Sequence, residues 1–189
     1  MMLQRNILRG ETVRLTALEQ EDLTAIGRWY KDAGFARLFD ATPAAPKSAS
    51  QLTHWLDEVQ KDKNGFLFAI RPVKEDTLLG YVELDGILWS QGNAWLALGL
   101  GQRDNWGKGY GTEAMQLALA FAFDELNLHR VQLSVFAYNE RAIRLYEKLG
   151  FVREGTYREH LRRDGQFHDM YLYGLLRREW RGAAGIEDT

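Results

Sequence analysis

The chain has 189 residues, a formal charge of −2 at pH 7, and 46% hydrophobic against 26% charged residues, the balance of one soluble globular domain with a sizeable core. That near-neutral charge, without any Lys/Arg-rich block, argues against non-specific nucleic-acid binding. The lack of cysteine excludes disulfides, thiolate metal sites and a cysteine nucleophile.

In chain order, residues 12–15 read as a short strand and 19–30 as a helix carrying Leu23, Ile26, Trp29 and Tyr30 on its apolar positions. Residues 31–50, with Pro43 and Pro46, read as loop. Ser48 and Gln51 make a capping-box pattern that opens a helix to about residue 61. Residues 66–71 and 78–84 read as strands joined by a turn, and Gln91-Gly92-Asn93 turns the chain into another strand. A helix over 109–126, a strand over 130–136 and a helix over 140–149 follow. Two last strands, 151–161 and 167–176, flank Arg163-Asp164-Gly165, a hairpin signal. The order β-α-α-β-β-β-α-β-α-β-β has no repeat or linker to split it. It predicts one α/β (α+β) domain over 1–189, with its core at about 10–180, a tail at 181–189, and a mixed sheet of six to seven strands flanked by four helices.

His54, His129, His160 and His168 show no metal-ligand spacing. No apolar run reaches the length of a membrane helix, and Met-Met-Leu-Gln-Arg-Asn is not the start of a signal peptide. A cytoplasmic protein, away from membrane and nucleic acid, is the expectation.

The densest signal is Trp106-Gly107-Lys108-Gly109-Tyr110-Gly111-Thr112, set between the strand-like Trp95-Leu96-Ala97-Leu98-Gly99-Leu100 and an amphipathic helix pattern. A glycine-rich turn that opens a helix leaves several N–H groups without intrahelical partners, at the positive end of the dipole, and suits a phosphate or diphosphate. The spacing is not that of the dinucleotide fingerprint, which would need glycine where Thr112 stands. Nor is it a P-loop, since Gly109 follows Lys108. The alternative is an ordinary turn.

Some thirty residues on, Asn139-Glu140-Arg141-Ala142-Ile143-Arg144-Leu145-Tyr146-Glu147-Lys148-Leu149-Gly150-Phe151 follows a strand-like run. Asn139 suits an N-cap. Ala142, Leu145, Tyr146 and Leu149 share a helical face, and Gly150 suits the position just past the helix end. Read blandly, Asn139 is only a cap and Tyr146 only a core aromatic.

Taken together, the two motifs resemble the GCN5-related N-acetyltransferase (GNAT) superfamily. Its loop reads Gln/Arg-x-x-Gly-x-Gly/Ala, matched here by Trp106, Gly109 and Gly111, and its next block is matched by Asn139, Ala142, Tyr146 and Gly150-Phe151. The resemblance extends over nearly the whole chain, from Leu78-Leu79-Gly80-Tyr81-Val82 to Trp180. It is nearest the branch of ribosomal-protein N-terminal acetyltransferases. One departure is Trp106, which puts no charge where the family has Gln or Arg; backbone N–H groups, with Lys108 nearby, would hold the anion instead.

The resemblance implies acetyl-CoA as donor, no metal, and an amine acceptor, a protein N-terminus or a small amine, reacting directly in one ternary complex. The strand before the loop would splay from its neighbour, so that Leu98 and Leu100 offer backbone groups to the pantetheine arm. Trp106, Gly107, Lys108, Gly109, Tyr110, Gly111 and Thr112 would form the coenzyme loop. Asn139 would reach the pantetheine or the reacting region, and Tyr146 would protonate or hydrogen-bond the leaving thiolate. Relatives place a Glu on the strand before the loop, where Trp95, Leu96 and Ala97 stand. Glu83 and Asp85 are the nearest acidic candidates for a base, with His168 and Asp169 as alternatives.

An α-amine, with a pKa of about 7.7–8.0, is partly neutral at pH 7, whereas a lysine near about 10.4 is almost wholly charged, so a missing base favours a protein or peptide α-amine. The acceptor would meet the 31–50 loop, with Phe35, Phe39 and the nearby Trp55, and the 163–168 turn. The rival readings are a small-molecule acetyltransferase for a polyamine, amino acid or antibiotic, with Asp57, Glu58 and Asp62 as an acidic face, and a non-catalytic acyl-CoA-binding module. A monomer or homodimer is expected.

Overall fold

Residues 6–180 and 182 are described by the computed structural model; the tail expected at 181–189 lies, Gly182 apart, outside them. Strands β1 (Val13–Ala17), β2 (Phe66–Pro72), β3 (Gly80–Leu88), β4 (Asn93–Leu100), β5 (Arg130–Phe136), β6 (Val152–Arg163) and β7 (Gln166–Leu176) form one sheet in the order β1-β2-β3-β4-β5-β7-β6. Every neighbouring pair is antiparallel except β4 with β5. That parallel pair is where the chain must cross over, and it does so through a helix.

Among the described residues, five α-helices accompany the sheet: α1 (Leu23–Trp29), α2 (Ala33–Phe39), α3 (Ala49–Lys61), α4 (Tyr110–Ala120) and α5 (Glu140–Lys148). Four were expected. The extra one, α2, lies within the stretch read as loop. Gly34 and a length of seven residues weaken its helical pattern, but Asp32 caps it by accepting from the Gly34 N–H at 2.8 Å. Tertiary packing then decides: Phe35 and Phe39 stack at 5.7 Å, and Phe39 meets Tyr81 edge-on at 5.2 Å. At α3 the capping box is formed as read, with Ser48 and Gln51 each accepting from the other's backbone N–H.

Alternation along the central strands feeds two cores. Ala69 and Tyr81 face a cluster with Ile26, Trp29, Leu52 and Leu56 from α1 and α3. Ile70, Val82, Leu84 and Leu96 face a larger cluster with Met115, Ala118 and Leu119 of α4 and Tyr146 and Leu149 near the end of α5. The sheet is therefore buried on both sides at its centre, and its strand edges meet the cleft described next.

Two polar ties fix the helices to the sheet. Glu113, in the first turn of α4, accepts from the backbone N–H groups of Glu11, Thr12 and Val13 and from the Thr12 hydroxyl. Burial alone would raise its pKa, but these donors outweigh it and leave the carboxyl below its ordinary value. Arg71 pairs with Asp22 through two hydrogen bonds of 2.9 and 2.7 Å; both residues are buried, and the Thr16 hydroxyl and the Asp76 carbonyl accept from Nε and Nη1. Removing one partner would leave an uncompensated charge, at a cost of about 3–5 kcal/mol.

Candidate active site

The parallel pairing of β4 with β5 holds only from Asn93↔Arg130 to Trp95↔Gln132. Beyond it the strands part: β4 stays with β3, where Val82↔Leu98 and Gly80↔Leu100, while β5 stays with β7, where Val135↔Tyr171 and Phe136↔Met170. The gap opens a cleft of about 920 Å³. Leu96 to Leu100 form one wall, and Ser134, Val135 and Phe136 the other. The splay expected at Leu98 and Leu100 is thus present, with one addition: the Leu100 carbonyl accepts from the Trp106 indole N–H at 3.0 Å.

At one end of the cleft lies the glycine turn. Gly107 and Gly109 have φ of +74° and +86°, a region costly for other residues, and the space around both is open. Gly109 caps α4, and its carbonyl takes the Glu113 N–H at 3.0 Å. The N–H groups of Tyr110, Gly111 and Thr112 therefore begin the helix without partners in it. Trp106, Gly107, Gly109, Gly111 and Thr112 line the cleft. Lys108 is exposed, Tyr110 packs against the core, and neither lines the cavity.

Helix α5 borders the same cavity. Its N-cap Asn139 accepts from the Ala142 N–H at 3.3 Å and donates to the Leu38 carbonyl at 3.4 Å, joining α5 to α2. Tyr146 lines the cleft although only 7% exposed, and burial pushes its phenol up to about 12. Sequence reasoning overlooked Arg141, Arg144 and Lys148, which also line the cavity and make this flank cationic. Their i, i+3, i+7 spacing was the available signal, but the same spacing describes any solvated helix face.

The far end is built from distant segments. Phe35, Phe39, Asp40, Ala41 and Asp85 line it, while Trp55 lies behind, packed on Tyr81 at 5.6 Å. Arg163 was missed except as part of a turn. Its Nη2 donates to the carbonyls of Asp40 at 2.9 Å, Ala41 at 3.3 Å and Thr42 at 2.9 Å, so the β6–β7 hairpin grips the chain just after α2. Arg37 pairs with Asp164 at 2.5 Å across the same junction, and the Tyr138 hydroxyl donates to the Arg37 carbonyl.

Glu83 shares a face of β3 with Tyr81 and Asp85 but does not line the cavity. Burial, then the charges of Asp85 and Asp62, raise it to about 7. Asp85, which does line the cleft, is also raised, first by burial and then by Asp62. Of the alternatives, Asp169 accepts from the Glu159 N–H at 2.8 Å, and His168 packs edge-on against Tyr138 at 5.1 Å. Among the described residues, no group of three or more His, Asp or Glu side chains is placed to hold a metal ion, and no helix is long and apolar enough to cross a membrane.

A sheet opened beside one parallel pair, with a glycine turn heading a helix at the mouth of the opening, is an architecture suited to an extended, phosphate-bearing ligand. Known proteins make the class specific. The profile of the acetyltransferase (GNAT) domain matches residues 12–152, and the chain belongs to that family. It is 28% identical over 176 residues, 93% of this chain and 98% of the other, to the Bacillus licheniformis protein named uncharacterized N-acetyltransferase p20. It is 28% identical over 127 residues, 66% of this chain and 64% of the other, to the Escherichia coli enzyme that acetylates an alanine of ribosomal protein uS5. Spermidine N-acetyltransferase from Vibrio cholerae, solved with CoA and spermine, superposes with a TM-score of 0.80 at 27% identity, covering 88% of this chain and 96% of that one. The chain is an N-acetyltransferase of GNAT type, as its motifs led one to expect.

Proposed function

We propose that this enzyme binds acetyl-CoA with its diphosphate at residues 107–112 and its pantetheine arm along Leu98 and Leu100, and passes the acetyl group directly to a primary amine, foremost a protein or peptide α-amine. The observation that carries this reading is the opened β4–β5 seam, which runs from the head of α4 to a cavity bordered by Tyr146. The amine nitrogen attacks the thioester carbonyl, the C–N bond forms, and collapse of the tetrahedral intermediate breaks the C–S bond and expels the thiolate.

Tyr146 then acts as a hydrogen-bond donor to sulfur. With the phenol at about 12 and a thiol near about 8.5, full proton transfer would be uphill by about 5 kcal/mol. Asn139, whose side chain is engaged by Ala142 and Leu38, holds α5 so that Tyr146 faces the thioester. Glu83, at about 7, takes the proton released by the amine by way of Asp85, its neighbour on that face of β3, which lines the cavity. A base of that strength is about one unit short of an α-ammonium and more than three short of a lysine, which favours the α-amine.

A polyamine acceptor is the second reading, favoured by Asp40 and Asp85 in the cavity wall. Thiol release from acetyl-CoA, measured with peptides bearing free or blocked N-termini, spermidine and a lysine derivative, separates the two. The free peptide is expected to react fastest. Faster reaction of spermidine would transfer the acceptor to the second reading, and no release with any amine would contradict both.

A further inference from the structure

Trp106 stands where the family pattern would put a polar or charged side chain, and the structure gives it a different use. Its indole N–H is tied to the Leu100 carbonyl at 3.0 Å, which fixes the ring at the cleft wall beside Gly107. Over that ring lies the guanidinium of Arg141, its Cζ 3.4 Å from the ring centroid. The planar cation and the indole face are thus stacked, an arrangement available to arginine and poorly imitated by lysine.

Arg141 is otherwise badly served by its surroundings. It sits in the first turn of α5, the positive end of the helix dipole. Burial, and then the charge of Arg103, lower its pKa. Arg103 itself is paired with Asp32, and Arg144 with Glu140. Among the described residues no carboxylate pairs with Arg141. An exposed cation held in place by stacking, lining a cavity, against its helix dipole and without a paired carboxylate among the described residues, is placed for an anion that arrives from outside.

We propose that Arg141, laid flat on Trp106, supplies the positive charge that the glycine turn lacks, and that its partner is the diphosphate of the coenzyme. Trp106 is the platform and Arg141 the ligand, so the two act as one unit. The proposal rests on the acetyl-CoA reading above, and the diphosphate is chosen because Trp106 and Arg141 border the same part of the cavity as Gly107, Gly109 and Gly111.

Calorimetric titration with CoA, without any acceptor, tests it. Wild-type protein that fails to bind CoA would contradict the coenzyme reading itself. Given wild-type binding, Arg141→Ala and Arg141→Gln should each weaken it about 10–50-fold, the effect expected for one charge-assisted phosphate contact. Arg141→Lys should recover only part of the loss. Trp106→Ala should cost a similar factor, and the double variant Trp106→Ala/Arg141→Ala little more than either alone. Trp106→Arg placed in the Arg141→Ala background should restore affinity, because it returns the charge to the turn. The Arg141→Ala deficit should persist with 3′-dephospho-CoA; its disappearance there would overturn the diphosphate assignment. Equal CoA affinity of wild type and both Arg141 variants, with all three showing the same thermal melt, would overturn the proposal while leaving the coenzyme reading intact.

Discussion

The two ends of the cleft are made differently. At the glycine end the groups that face the cavity are mostly backbone, held by two positive φ angles, a helix start and a strand that has left its neighbour. At the other end they are side chains brought together from α2, the chain beyond it, β3 and the β6–β7 hairpin. The α5 flank of the cleft carries the cations Arg141, Arg144 and Lys148, and the second end carries Asp40 and Asp85. Backbone sites tolerate little variation because their geometry is the site; side-chain sites can change partner without changing the fold. The donor should therefore be common to the family and the acceptor individual to each member.

Substitutions can break that contrast. The largest effect is expected for Gly109→Val, since a branched residue at φ +86° forces the turn to rearrange; the strain is about 1–2 kcal/mol or more, and CoA affinity should fall about 100-fold by calorimetry. Tyr146→Phe should follow, lowering kcat about 10–100-fold with the KM for acetyl-CoA changed less than about threefold, because the hydroxyl acts on a charge formed only in the transition state. Unchanged kcat would remove Tyr146 from the mechanism.

Arg163→Ala should act on the acceptor end alone. Freeing the carbonyls of Asp40, Ala41 and Thr42 should raise the acceptor KM about 5–10-fold and leave CoA affinity as it was, a split that a general loss of structure would not produce. A matching loss of CoA affinity would show that the two ends are not separable.

The smallest effect is expected at Glu83. Its folded pKa of about 7 lies above the ordinary carboxylate value, so the folded state binds the proton more tightly and ionisation opposes folding as pH rises from about 4.5 to about 7. Glu83→Gln should stabilise the protein by about 1–3 kcal/mol at pH 8 and by little at pH 5, read from denaturant melts. It should also flatten the rise of kcat/KM with pH through about 7. A rise that survives the substitution would assign the proton to another group.

The sequence carried the glycine end well, because its requirements are local. Gly107 and Gly109 are needed by the turn, Asn139 by the start of α5, and Asp164-Gly165 by the hairpin, where both residues have positive φ. Each leaves a mark within a few residues. Helix α2 left almost none, since its stability comes from the stacking of Phe35 and Phe39 and their contact with Tyr81, some forty residues away in the chain. Arg163 reaches carbonyls more than one hundred and twenty residues away, a contact with backbone that no side-chain pattern encodes. Arg141 shows a third case, in which the mark was present but ambiguous: only the 3.4 Å stack on Trp106 distinguishes it from a solvated helix residue.

A crystal structure of the protein with CoA tests the central claim most directly. The diphosphate should rest against the N–H groups at the head of α4 with Arg141 alongside, and the pantetheine arm should run between β4 and β5 with its sulfur beside the Tyr146 hydroxyl. CoA bound outside the β4–β5 opening, or with its sulfur remote from Tyr146, would contradict the account.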